Sequence, residues 1–171
     1  MKKLLPAVLL CLFLCACSRA EPAWETVRDS LLTEVPTKSA KYMICFDVPI
    51  DAVLDEADGE KSVYRQKDGD YEIISRTIES CDLETVVQTL SGCSPEQVEI
   101  LHTTRYGADE CHFVWCSETE RGMQLSRADA IFSQPYCYAL TFSASEDCAP
   151  TYADTQAQVF GSFALFENEG F

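Results

Sequence analysis

Between residues 98 and 145 the chain leaves itself little choice of architecture. Four segments of strand composition, Val98–Tyr106, Cys111–Thr119, Gln124–Ser133 and Tyr136–Ser145, follow one another closely. Only Gly107-Ala108-Asp109-Glu110, Glu120-Arg121-Gly122 and Gln134-Pro135 separate them. Parallel strands need a crossover of about a dozen residues, so connections this short force antiparallel pairing of neighbours. The rest of the chain must pack on that meander. Tyr106, Phe113, Trp115, Phe132, Tyr136, Tyr138 and Phe142 all lie in it. Most of them are core by composition, and any that face outward offer a partner surface.

Upstream, Ser62–Lys67 and Tyr71–Ile78 flank Asp68-Gly69-Asp70, and Asp-Gly supplies the positive φ of a tight hairpin. In Lys41–Val48, Tyr42, Ile44, Phe46 and Val48 alternate with Met43, Cys45 and Asp47. Both rows are largely apolar, which predicts an inner strand that Pro49 ends. Residues 51–60 gather Asp51, Asp55, Glu56, Asp58 and Glu60 around Gly59 and read as a loop or one helical turn. Asp82 is positioned to N-cap a helix whose apolar stripe is Leu83, Val86, Val87 and Leu90, with Gly92 as its stop. Ser94-Pro95-Glu96 starts another turn. A second helix is predicted over Pro150–Phe163, with Tyr152, Val159, Phe160 and Phe163 on its buried side. Trp24, Val27, Leu31 and Leu32 fit helical spacing, an extended arm being the other reading.

There are no internal repeats and no second domain. The order of strand, hairpin, helix, four-strand meander and helix predicts an α+β domain. In it a curved antiparallel β-sheet of about six or seven strands is packed with helices. This order resembles the Mog1/PsbP-like fold. The closing pattern Tyr136-Cys137-Tyr138-Ala139-Leu140-Thr141-Phe142, a polar break, and then a helix ending Phe160-Gly161-Ser162-Phe163 carries the resemblance. It covers residues 41–166. It implies a curved sheet sandwiched by helices and action through binding other proteins, with no common catalytic centre and no site residue to carry over.

Residues 1–17 bear on destination. Lys2 and Lys3 precede the apolar run Leu4–Leu14. That run is shorter than the about 20 residues of a spanning helix and suits a signal h-region. The sequence Leu14-Cys15-Ala16-Cys17 resembles a bacterial lipobox. The resemblance implies cleavage after Ala16 and a diacylglyceryl group on the sulfur of Cys17; the other reading is an ordinary secretory signal cut near Ala16 or Ala20. Two acyl chains, at about 0.8 kcal/mol per buried methylene, anchor a protein stably where one does not. The division is then 1–16 lipoprotein signal peptide, 17–40 lipidated tether and N-terminal arm, 41–166 a single α+β domain, and 167–171 tail. The expected location is the cell membrane, lipid-anchored and facing outside the cytoplasm. Loss of Lys2 and Lys3 takes the net charge from −15 to −17. Such a chain is expected to bind no nucleic acid.

Catalytic chemistry is weakly represented. There is no Gly-x-Ser-x-Gly elbow, and only two histidines are present to serve as a base. A simple register across residues 107–110 sets His112 opposite Arg105 and His102 opposite Trp115. The histidines then lie on opposite faces, cannot share a metal, and read as packing residues. Cys111 and His112 are adjacent and point to opposite faces, while Cys116 shares the face of His112. A catalytic thiol there would alkylate rapidly below neutral pH. Cys111 and Cys116 have nominal zinc spacing, but a strand turns them apart. The seven cysteines after Cys17 (Cys45, Cys81, Cys93, Cys111, Cys116, Cys137 and Cys148) read as mostly buried thiols, with one or two bridges left open. No cofactor is expected. Asp55, Asp58 and Glu60 offer oxygens of the kind calcium prefers, without the order of an EF-hand loop.

The reading is a non-catalytic binding or accessory module with a protein partner. Its rival is a small-ligand or cation-binding envelope protein, in which Asp55→Asn, Asp58→Asn and Glu60→Gln would lower affinity. For the anchor, Cys17→Ala is expected to shift the protein from the detergent phase to the aqueous phase in detergent partitioning. Unchanged partitioning would refute acylation at Cys17.

Overall fold

The computed structural model describes residues 24–27, 41–120 and 122–167. The signal segment, Cys17, and all of the arm and tether but residues 24–27 lie outside the described residues, as do 168–171. Among the described residues there are ten strands and two α-helices. Strands β3 (Ala52–Ala57), β4 (Lys61–Gln66), β5 (Tyr71–Ile78), β6 (Glu99–Arg105), β7 (Ala108–Thr119), β8 (Gly122–Ser133) and β9 (Tyr136–Ser145) form a 7-stranded antiparallel sheet in the order β3-β4-β5-β9-β8-β7-β6. The meander thus pairs in sequence, as its short connections require. A second, 3-stranded sheet is built from β1 (Trp24–Val27), β2 (Tyr42–Pro49) and β10 (Ala164–Glu167), with β2 in the middle.

Helix α1 (Leu83–Ser91) starts where its sequence says it should. The Asp82 carboxylate accepts from the Thr85 N–H at 2.9 Å, and Gly92 closes the helix at φ 73°. Val86 and Val87 bury against Cys111, Phe113, Ala128, Ala130, Cys137 and Ala139 on one face of the large sheet. Three alanines in that group leave room for the helix. A 3-10 turn, Ala149–Tyr152, leads into α2 (Ala153–Ser162) on the other face. There Val159, Phe160 and Phe163, with Phe46 and Val48 of β2, pack on Tyr64, Tyr71, Ile73, Ile131, Leu140 and Phe142. Strand β9 is buried from Tyr136 to Ala144 because both of its faces are covered.

Three expectations are corrected and one open alternative is decided. Residues 24–27 form a strand paired with β2, the extended of the two readings. Residues 52–57 form an edge strand rather than a loop or helical turn, because β4 offers them a ladder and a register shift at Leu54/Glu56 absorbs the irregular polar run. Glu167 is the last residue of β10, paired with Tyr42, and so belongs to the fold rather than to a tail. The connection from β6 to β7 is also shorter than expected. Tyr106 (φ 52°) and Gly107 (φ 80°) make the whole turn, and both positive angles match the type I′ geometry of two-residue hairpins. His102 therefore faces Cys111 and His112 faces Leu101. The slip is four residues, an even number, so the two histidines still occupy opposite faces.

No disulfide is formed among the described residues; Cys111 and Cys137 are buried, and Cys116 is exposed. Burial raises the Cys111 thiol from 9.0 to about 12, with smaller contributions from the negative charges of Asp129 and Glu110. An unfolded thiol loses its proton near pH 9 while the folded one keeps it, so this contribution to stability is intact below pH 9 and is lost as pH rises toward 12. Urea unfolding midpoints are expected to fall across that window. Cys111→Ala should reduce the fall, and an unchanged pH slope would exclude Cys111 as a contributor.

Candidate functional site: a charged cluster beside an open sheet face

Five charged or titratable side chains meet on the face of the large sheet that carries α2. Alternation places them there. Glu110 and His112 share one row of β7; Arg127 and Asp129 share the facing row of β8; Arg105 ends β6. His112 lies directly opposite Asp129. Asp129 is fully buried and Glu110 nearly so.

The Arg127 guanidinium donates to both Asp129 oxygens, from Nε at 3.0 Å and from Nη2 at 3.1 Å, and lies 4.3 Å above the Phe160 ring. Arg105 Nε sits 2.7 Å from Glu110 Oε1, and its Nη2 sits 3.6 Å from Asp129 Oδ2. Arg105 Nη1 donates to the carbonyls of Phe160 and Phe163 at 3.1 and 2.7 Å, at the C-terminal end of α2, where the Phe160 oxygen also accepts the Phe163 N–H. His112 Nδ1 lies 2.8 Å from Asp129 Oδ1, while Nε2 lies 3.4 Å from Glu110 Oε2 and 2.8 Å from Thr103 Oγ1. Glu110 Oε1 faces Arg105 Nε, and His112 Nδ1 faces Asp129 Oδ1, at short distance without hydrogen-bond alignment.

One imidazole and two carboxylates are a donor set that zinc accepts. Glu110, His112 and Asp129 bring ligand atoms within 4.8 Å of one another. The geometry points elsewhere. Asp129 addresses Nδ1 and Glu110 addresses Nε2, so the carboxylates bracket the ring rather than converge on one point. Two guanidinium groups already balance the two carboxylates. The arrangement is an ion-pair network that fixes the end of α2 to the sheet.

The residues singled out from the sequence are not gathered here, apart from His112. Asp55 pairs with Arg65, and Glu56 pairs with Lys61 at 3.2 Å. Asp58 Oδ1 accepts the N–H groups of Glu60 and Lys61 at 2.9 and 2.7 Å, which hold its carboxyl below the usual range. These contacts are local ones, and Glu60 enters them through its backbone N–H. Cys116 shares the face of His112 but lies opposite Leu125. His112 is a member of the charged network rather than a packing residue. Arg105, Glu110, Arg127 and Asp129 were not singled out; their signal is two polar residues interrupting the apolar row of an inner strand.

Outside the cluster the same face is open. Leu101 is 62% exposed, Val114 50%, Met123 43% and Leu125 37%. Leu101 and Val114 are diagonal neighbours across β6 and β7, and Val114 and Leu125 are diagonal neighbours across β7 and β8. They form one apolar row beyond the reach of α2, running away from the hairpin tip where Tyr106 is 84% exposed.

The fold has counterparts of known structure. Cyanobacterial PsbP (CyanoP) from Synechocystis sp. PCC 6803 is similar with a TM-score of 0.58 and 12% identity, over 87% of this chain and 96% of that one. The Ran-binding protein Mog1p from Saccharomyces cerevisiae is similar with a TM-score of 0.53 and 11% identity, over 84% of this chain and 96% of that one. The chain has the Mog1/PsbP-like α+β fold. No protein-family model matches the sequence. No curated protein matches it either.

Removing one partner from a buried charge network leaves the others uncompensated. Asp129→Asn is therefore expected to lower stability by about 3–5 kcal/mol. Arg65→Gln, which breaks half-exposed surface pairs, should lower it by under about 1 kcal/mol. Denaturant titration distinguishes these values, and similar losses for both would show that the cluster carries no special weight.

Proposed function

We propose that this protein is a membrane-anchored extracytoplasmic lipoprotein, acylated at Cys17, that acts as a non-catalytic binding or accessory module for a protein partner. One observation carries the reading. The charged side chains best suited to chemistry are engaged in holding α2, while the apolar row Leu101, Val114 and Leu125 stands exposed on the rigid sheet beside them. An exposed row on a rigid element suits docking, since little ordering entropy is lost on contact. Mog1p, which has the same fold, is a Ran-binding protein, and that is in keeping with use of the scaffold for protein contact.

The test is chemical crosslinking in native membranes with the lipidated protein as bait, alongside the Leu101→Glu/Val114→Glu double variant. The expected result is one partner recovered in near-equal amount with the parent protein and reduced about tenfold or more with the variant, which corresponds to at least about 1.4 kcal/mol. Capture indifferent to the double substitution, or no capture at all, would overturn the reading.

A further inference from the structure

Resting on the docking role proposed for this face, we infer that the occupant of the apolar row is a basic amphipathic helix of the partner protein, lying on the sheet beside α2. The shape of the open area selects a helix. It is bounded on one side by the charged cluster and α2, and on the other by the sheet edge at β6. The row crosses three strands, about 10 Å from the first to the third. That is the width of one helix, and a second sheet would need more room. Leu101 lies opposite His112 and Leu125 opposite Cys116, so the row advances along β7 from 112 to 116 as it crosses. Its diagonal is then about 17 Å, the rise of about eleven helical residues.

Charge selects the character of that helix. Glu99 lies opposite Val114 and Glu118 lies opposite Met123, so both carboxylates share the face of the row. Both residues are exposed, and among the described residues neither side chain has an ion-pair or hydrogen-bond partner. They stand on the outer side of the row, away from the cluster and about 14 Å apart, between two and three helical turns.

No cation of the sheet offsets them. Among the described residues of β6, β7 and β8 the lysines and arginines are Arg105 and Arg127, and both are committed to the cluster. Arg105 is held by Glu110 and by two carbonyls of the α2 end, and Arg127 by both oxygens of Asp129. A helix with an apolar underside and lysine or arginine on its outer flank therefore gains contact along the row and a carboxylate near each end of it. An acidic helix of the same shape sets like charges against Glu99 and Glu118, and a neutral one leaves them without a counter-charge.

Cys116 lies within the row and is exposed, so its thiol reports what docks there. The probes are two amphipathic peptides of about 14 residues, one leucine–lysine and one leucine–glutamate, long enough to span the row. Each carries a thiopyridyl disulfide on a cysteine of its apolar side. Attack by the Cys116 thiolate joins peptide to protein and releases thiopyridone, whose absorbance is followed with the full chain in nonionic detergent; Cys116→Ser supplies the background. The leucine–lysine peptide is expected to react about tenfold faster than the leucine–glutamate one. Glu99→Gln/Glu118→Gln should slow it about threefold or more, while Glu79→Gln/Glu84→Gln, two exposed acids just before and within α1, should leave its rate nearly unchanged. Leu101→Ser/Val114→Ser, which keeps the net charge, should slow it about tenfold. Each variant should keep the circular dichroism spectrum of the parent protein. Equal rates for the two peptides, or equal slowing by the two pairs of glutamine substitutions, would overturn the basic helix and leave the docking role standing. A rate indifferent to Leu101→Ser/Val114→Ser would overturn the docking role and this occupant with it.

Discussion

The guanidinium of Arg105 joins the two halves of this domain. It bonds two carbonyls at the end of α2 while Glu110 and Asp129 hold it on the sheet. A charge taken out of water costs several kcal/mol unless its partners are well placed. Here the partners come from two further strands, and the helix terminus supplies the remaining acceptors. Arg127 reinforces the same junction by bonding Asp129 and covering Phe160. The position of α2 follows from this cluster as much as from the apolar contacts of Val159, Phe160 and Phe163.

That position has a consequence for surface. α2 and β2 cover the large sheet over β4, β5 and β9, where Tyr64, Ile73, Leu140 and Phe142 lie. They stop at the charged cluster. The opposite face is filled by α1 over a bed of small side chains, Ala128, Ala130 and Ala139. Beyond the cluster the sheet is therefore backed on one side, at Phe113 and Ala128, and uncovered on the other, at Leu101, Val114 and Leu125. A backed sheet is stiff, and stiffness is what a docking surface needs if binding is to lose little ordering entropy.

Much of this architecture is legible in the residues. The Asp68-Gly69 turn, the Asp82 cap, the Gly92 stop and the three short connections of the meander each name a local geometry that the backbone adopts. Their energetics are local, so they survive any tertiary context. The strands that escaped reading are short or at an edge. β1 and β10 have four residues each and exist because β2 offers both of its sides. β3 is rich in acids and lacks alternation, and its strand character comes from the β4 ladder. The cluster escaped for a related reason. Glu110, His112, Arg127 and Asp129 look like ordinary polar interruptions until the register brings their rows together.

The sequence by itself determined the class of fold and the antiparallel meander, because turn chemistry and side-chain alternation act within a few residues. It also placed His102 and His112 on opposite faces, since an even slip of register preserves side-chain parity. Only the tertiary structure decided that His112 sits between two carboxylates, that Arg105 caps a helix more than fifty residues away, and that Leu101, Val114 and Leu125 stand uncovered. Those outcomes depend on which strands become neighbours and on where α2 stops. Both are set by long-range pairing and by the balance of buried charge, which no local stretch of the chain encodes.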